Sequence, residues 1–319
     1  MPTSNDHLTL VPRTTFDTPT LTFDFPGLEI GIAEYDEGPT GCTVFRFQKH
    51  LPTAIDVRGG MVGMTQENDI CRAICFAGGS LMGLEAVSGV AAGIFAQGGH
   101  SLEGQPVMNG AIIYDYGRRD NTIYPDKALG RAALESAKPN IFPLGARGAG
   151  RSASVGGVFG WERKESSGQG AAYRAVEDVK IAVFTVLNAV GAIVDRAGQP
   201  VRGNLVDGER QAVLKALENQ LSKNEPPRGN TTLTLVVTNQ KLEYEALTQV
   251  GRQVHSSMAR AIIPFHTLYD GDVLYNVTTN EISSEMSAGV IGMVASELAW
   301  DAVLSAVRLP FIAELDNVG

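Results

Sequence analysis

Hydrophobic and polar residues alternate in short stretches through the first sixty positions: LTFDF (21–25), LEIGIAEY (28–35), CTVFRF (42–47) and TAIDVRG (53–59). Turn-forming residues such as EGPTG (37–41) separate them, so each predicts a strand. The pattern then changes. SLMGLEAVSGVAAGIFA (80–96) reads as a buried helix whose small residues let another element approach, AIIYDY (111–116) as a strand, and YPDKALGRAALESA (124–137) as a helix with Pro125 near its first turn. DVKIAVFTVLNAVGAIVD (178–195) predicts two strands bent near Asn188 to Gly191, and residues 208–222 a helix. TTLTLVVT (231–238) alternates as a strand. LEYEALTQVGRQVHSSMARA (242–261) sets Leu247, Val250, Val254 and Met258 on one helical face. VLYNVTT (273–279) is a strand and 285–306 an apolar closing helix. Sheets bracketed by helices, with strands paired in sequence and no internal repeat, predict a layered α/β fold. Residues 1–20, rich in Thr and Pro and without periodicity, read as a flexible arm ordered by contact with another subunit; 21–319 reads as one domain.

Composition narrows the function classes. A chain of 319 residues, 44% hydrophobic and 19% charged, can bury a full core. Its net charge of −9 and its lack of a Lys/Arg run argue against nucleic acid as a partner. Cys42, Cys71 and Cys75 are too few for a disulfide framework and fit a reducing cytoplasm. Cys71 and Cys75, four apart, could share a helix face. With no histidine at ligand spacing, they read as buried thiols rather than a metal site. The N-terminus has no basic stretch followed by an apolar one, so no secretory signal is expected. The stretch 81–96 carries Glu85 and several glycines, so no membrane span is expected there.

Candidate chemistry centres on one junction. The polar linker SKNEPPRGN (222–230) ends abruptly at the strand that begins with Thr231. A Thr hydroxyl needs a base. If Thr231 became a chain terminus, its own α-amine, titrating at roughly 7.7–8.0, could be that base. Attack of the Thr231 hydroxyl on the Asn230 carbonyl would give an ester that water cleaves, releasing the amine. Taken alone, Gly-Asn before a strand is equally a plain turn. Asp270 and Asp272 flank Gly271, and i, i+2 side chains of an extended segment point the same way. A Ser-His-Asp mechanism lacks the G-x-S-x-G elbow; His255 and His266 read as structural, His7 lies in the arm, and His50 and His100 read as solvated. The glycine-rich 145–157 stretch lacks a nucleotide-loop pattern and reads as a cleft lining, with Arg147 and Arg151 in solvent.

Longer segments carry a resemblance: FDFPGLEIGIAEYDEGPTG (23–41), IYDYGRRDNTIYPDKALGRAALE (113–135), SGQGAAYR (167–174), IVDRAGQPVRGN (193–204), RGNTTL (228–233), QVHSSMARAIIPFHTLYDGD (253–272) and ASELAWDAVL (295–304). The chain resembles the 6-aminohexanoate-oligomer hydrolases, a branch of the D-aminopeptidase and β-peptidyl aminopeptidase family of self-processing hydrolases. The resemblance implies a four-layer α-β-β-α sandwich of N-terminal-nucleophile-hydrolase type. It implies autocleavage between Asn230 and Thr231 into an α fragment (1–230) and a β fragment (231–319), assembled as a homo-oligomer, a tetramer of α/β pairs. It implies linear amides of ω-amino acids as substrates and no cofactor or metal. It maps the nucleophile to Thr231, the two acidic residues that position it to Asp270 and Asp272, an oxyanion donor to Asn188 and a processing-site tyrosine to Tyr114. At one position the chain departs: Gly157 stands where the family pattern has a lysine. Either Lys164 supplies the cation from a shifted loop or the site works without it. Three other readings stay open, a β-peptidyl or D-aminopeptidase, a Thr-dependent acyltransferase and an uncleaved, non-catalytic oligomer.

Overall fold

The computed structural model describes residues 2–102, 105–220 and 229–308. The alternating stretches become two sheets. In the first, β1 (Leu28–Tyr35), β2 (Thr40–Val57) and β3 (Ile70–Ala77) pair antiparallel, and β4 (Met108–Ile112) joins β3 in parallel. In the second, β5 (Gln169–Val176), β6 (Val179–Asn188) and β7 (Thr231–Gln240) are antiparallel, and β8 (Val273–Ile282) runs parallel to β7. Strand β2 belongs to both. Its Thr40–Phe47 half pairs β1, a register shift follows Arg46, and Thr53–Val57 pairs β8. The two runs expected at 42–47 and 53–59 are therefore one bent strand.

Helices cover the outer faces. α1 (Leu84–Gln97) and α2 (Lys127–Glu135) lie on the first sheet, where Leu129, Ala133 and Leu134 meet Val44, Ala73 and Cys75. α2 starts three residues later than expected because the Asp126 carboxylate caps it, accepting from the Leu129 N–H at 3.0 Å. α3 (Val213–Gln220) packs Val213 and Ala216 against Val158 and Val190. α4 (Tyr244–Ser257) and α5 (Ala288–Ser305) cover the second sheet; Val250, Val254 and Met258 pack there as their spacing predicted. Between the sheets Phe45, Phe142 and Phe184 lie with ring centroids 5.1–6.2 Å apart. This is the expected α-β-β-α sandwich. Ser80–Gln97 and Ala288–Ser305 reach the length and mean hydropathy (1.3) of a membrane span, and both lie across sheets as core helices.

The centre of the second sheet is buried on both faces. Leu233, Leu235 and Val237 of β7 enter the inter-sheet core, and the alternating threonines face the helices rather than water. The Thr234 hydroxyl is satisfied there by Met258 Sδ (3.6 Å) and Thr185 Oγ1 (3.3 Å). Three further expectations change. Ile70–Ala77 is a strand, so Cys71 and Cys75 sit on a sheet, not a helix. The strand expected over 111–116 ends at Ile112, so Tyr114 leaves the sheet. The N-terminal arm has partners on its own chain: Arg13 reaches Glu34 (3.1 Å) and Asp36 (2.9 Å), and Asn5 hydrogen-bonds Tyr124 and Asp126. The linker 222–230 lies outside the described residues up to Arg228.

Candidate active site

Thr231 is the first residue of β7, wedged between β6 and β8 in the second sheet. It pairs in register with Asn188, the last residue of β6, and the preceding Asn230 bridges to Asp270. Both Thr231 and Asn230 are buried. The Thr231 hydroxyl donates to the Asn230 carbonyl oxygen at 2.6 Å, and the Gly271 N–H donates to the same oxygen at 2.7 Å. A potential nucleophile and a polarising donor thus meet at one peptide bond. Gly229 enters it in the left-handed region (φ 86°), and a side chain there would strike the Tyr114 ring.

The turn before β8 forms an acidic flank. Asp272 Oδ1 accepts the Thr232 N–H at 2.7 Å, and Oδ2 accepts the His266 N–H (3.2 Å) and ring Nδ1–H (3.0 Å). Asp270 accepts from the Val190 N–H (3.1 Å), the Thr267 N–H (3.0 Å) and the Thr267 hydroxyl (2.6 Å). Burial, then the neighbouring Asp272 charge, pushes the Asp270 carboxyl up to about 6. The hydrogen bonds of the two carboxylates go to residues around Thr231 rather than to its hydroxyl. Gly271 between them abuts that hydroxyl. A Cβ on it would lie 2.8 Å from Thr231 Oγ1.

Asn188, Tyr114 and Lys164 form the opposite flank. The Asn188 side-chain amide donates to the Tyr114 carbonyl (3.0 Å) and the Gly229 carbonyl (3.4 Å), and its oxygen accepts the Ser154 N–H (3.0 Å). In the uncut chain it therefore braces the approach to Asn230, and the donor on the Asn230 carbonyl is the Gly271 peptide. Lys164 is nine-tenths buried; its Nζ donates to Asn230 Oδ1 at 2.8 Å and lies 4.2 Å from the centre of the Trp161 ring. Its aliphatic stem crosses Gly157 so closely that any side chain at 157 would collide with Lys164 Cε. The next residue anchors this loop: Glu165 meets Arg210 (2.7 Å) and Arg202 (3.3 Å), and these ion pairs with the Gly203 N–H hold its carboxyl low although burial alone would raise it. Gly157 and Lys164 are sterically complementary, and the Lys164 ammonium lies beside the Asn230 side chain.

A cleft of about 570 Å³ opens onto Thr231. Met61, Val62, Leu81, Ile112 and Tyr114 line it, and among the described residues none that lines it is charged. The expected glycine-rich 145–157 lining is absent from it. Arg147 and Arg151, expected in solvent, are instead drawn to the buried Glu34 (3.5 and 3.1 Å), whose carboxyl burial raises against the pull of Arg151, Arg147 and Arg13. His50 is half-buried rather than solvated, whereas His100 is exposed. His255 is buried against Asp56 (2.8 Å), with burial lowering its pKa despite that partner. No serine beside His255 or His266 makes a recorded bond to either ring; Ser256 bonds Arg58 and Arg252, and Ser257 bonds Val254. Among the described residues no group of three or more His, Cys, Asp or Glu could hold a metal ion. Sequence reasoning missed two site groups. A backbone N–H carries no sequence signal, so the Gly271 role was hidden beyond the glycine itself. His266 reaches Asp272 because it takes up a left-handed φ of 57°, which its residue type does not announce.

Comparisons with known proteins show what the chain is similar to. The family model for peptidase family S58 matches residues 21–309. The chain is 45% identical to the 6-aminohexanoate-oligomer endohydrolase of Paenarthrobacter ureafaciens, over 95% of this chain and 90% of that protein. It is 46% identical to a putative NylC-analogous protein of Agromyces sp. (strain KY5R), over 90% of this chain and 99% of that one. Among solved structures, the L-aminopeptidase D-Ala-esterase/amidase of Ochrobactrum anthropi, described as a variant of the Ntn hydrolase fold, superposes with a TM-score of 0.63 at 13% identity, covering 92% of this chain and 88% of that one.

Proposed function

The chain belongs to peptidase family S58, and on that premise we propose that it is a self-processing hydrolase of linear amides, with 6-aminohexanoate oligomers as its substrate class and Thr231 as its nucleophile. The observation that carries this reading is the pair of donors on the Asn230 carbonyl, the Thr231 hydroxyl and the Gly271 N–H. Self-cleavage then runs in two steps. Thr231 Oγ1 attacks the Asn230 carbonyl carbon, the C–N bond breaks, and the hydroxyl proton passes to the nitrogen, leaving an ester and a free α-amine. Water hydrolyses the ester, releasing Asn230 as a carboxylate. Lys164 holds the Asn230 side chain on one side while Gly271 polarises the carbonyl on the other. Fragments 1–230 and 231–319 stay together because β7 is hydrogen-bonded to β6 and β8 to β2.

Turnover repeats the chemistry on substrate. The new α-amine takes the Thr231 hydroxyl proton, the acyl carbon sits where Asn230 carbon sat, and the Gly271 N–H stabilises the oxyanion. The proton returns to the leaving amine, and water cleaves the acyl-Thr ester. The steps need nothing beyond the protein and water. The described lining of the cleft, uncharged and largely apolar, suits methylene chains between amides. The test incubates wild type and Thr231→Ala with linear 6-aminohexanoate trimer, with and without an added primary amine, and follows products by mass. Shorter oligomers from wild type alone support the reading. Transfer to the added amine in preference to water would make the protein an acyltransferase, and equal turnover by Thr231→Ala would remove Thr231 from the mechanism.

A further inference from the structure

We propose that His266 is the positioning residue that aims Asp272 at the Thr231 end of β7, an assignment that rests on Thr231 as nucleophile. Cleavage turns Thr231 into a strand terminus, and strand termini fray unless tied down. The recorded side-chain tie nearest that end is the Thr232 N–H on Asp272 Oδ1, at 2.7 Å. Asp272 can hold that direction only if its other oxygen is fixed. Both groups that fix Oδ2 come from His266: its backbone N–H at 3.2 Å and its ring Nδ1 at 3.0 Å. Two donors from one residue on one oxygen form a clamp, and His266 accepts a left-handed backbone (φ 57°) to make it.

The ring itself is held on three sides. Phe265 stacks on it with centroids 3.8 Å apart, His255 meets it edge-on at 4.3 Å, and Nε2 faces the His255 carbonyl at 3.4 Å. Because a carboxylate oxygen accepts, Nδ1 carries a ring hydrogen, and Nε2 donates to the His255 carbonyl only when it carries one too. The charged and titratable groups around it are Asp272 and Asp270 on its own segment, His255 on α4, and Asp56 and Arg58 behind His255, joined at 2.8 and 2.5 Å. The histidines, read as structural from the sequence, thus divide. His255 supports the ring, and His266 directs a carboxylate of the site.

Two substitutions isolate the clamp. His266→Gly removes the ring without straining a left-handed backbone, and His266→Asn keeps a side-chain N–H donor while tolerating that backbone. Self-cleavage is read by intact mass, and kcat and KM on linear 6-aminohexanoate trimer are taken per cleaved site, beside Thr231→Ala. The proposal expects kcat to fall about tenfold or more in His266→Gly with KM unchanged, and to recover to within about threefold of wild type in His266→Asn. Wild-type kcat in His266→Gly, or equal losses in both variants, overturns it. If His266→Gly does not fold, His266→Asn decides alone: kcat within threefold supports the clamp and a tenfold loss rejects it. Activity in Thr231→Ala would sink the nucleophile reading instead, whatever the histidine variants do.

Discussion

On one side of Thr231, Asp270, Gly271 and Asp272 come from a single turn that runs straight into β8. On the other, Tyr114, Asn188 and Lys164 come from three separate places: beyond the end of β4, the end of β6, and a loop of short helical turns. The acidic side is set by sheet register, since β8 lies parallel to β7 and the turn before it must fall beside Thr231. The cationic side is set by loop packing, with Lys164 laid across Gly157 and anchored through Glu165. A side chain in a register-defined turn cannot move without moving a strand. A cation in a loop can be supplied from another position, and it is on this side that the resemblance implied a lysine where Gly157 stands.

The sharpest way to break this comparison is at Gly271. Gly271→Ala sets a Cβ 2.8 Å from Thr231 Oγ1 and 2.5 Å from the Met61 carbonyl, displacing the N–H that holds the Asn230 oxygen. Loss of such a donor costs roughly 100-fold or more; the self-cleavage rate should drop by that much, measured by denaturing electrophoresis over time. Lys164→Met comes next. It removes a charged donor from Asn230 while keeping the apolar stem, and a hydrogen bond to a charged group contributes about 1.5–3 kcal/mol, so cleavage should slow roughly 10- to 100-fold. Unchanged cleavage would mean that the cationic flank is only packing.

Acidity probes the opposite flank. The Asp270 carboxyl, raised to about 6, ionises as pH rises through that value, and its contribution to stability is present below about 3.8 and lost as pH rises through about 6. Its three donors suit the carboxylate. The cleavage rate should therefore fall about tenfold from pH 7 to pH 5, following the ionised fraction, and a flat profile would show that Asp270 does not need its charge. Gly157→Ala should have the smallest effect. Its Cβ collides with the Lys164 stem, an overpacking of about 1–3 kcal/mol that the flexible side chain can partly relieve, so cleavage should slow severalfold with the melting temperature nearly kept.

Legibility followed the same division. The alternating runs at 28–35, 231–238 and 273–279 gave the sheets, and the spacing of Val250, Val254 and Met258 gave the outer helix. Strand β3 escaped because ICRAICFA is apolar almost throughout, and a strand buried on both faces has no period to read. In the site, Thr231 stood out where a polar linker meets a strand, while Asp270 and Asp272 were singled out by the resemblance, since an Asp-Gly-Asp turn alone reads as a plain turn. The Gly271 donor was not readable, being backbone, nor was the pairing of Gly157 with Lys164, which depends on a loop folding back on itself. Asn188 pairs in register with Thr231, where the resemblance put it, but its amide is spent on the Tyr114 and Gly229 carbonyls.

The central claim, that Thr231 cuts its own chain, is tested most directly by the intact mass of freshly purified wild type and Thr231→Ala under denaturing conditions. The account predicts two wild-type fragments, 1–230 and 231–319, and a single uncut chain for the variant. A wild-type protein that stays whole, or a variant cut at the same bond, would contradict it.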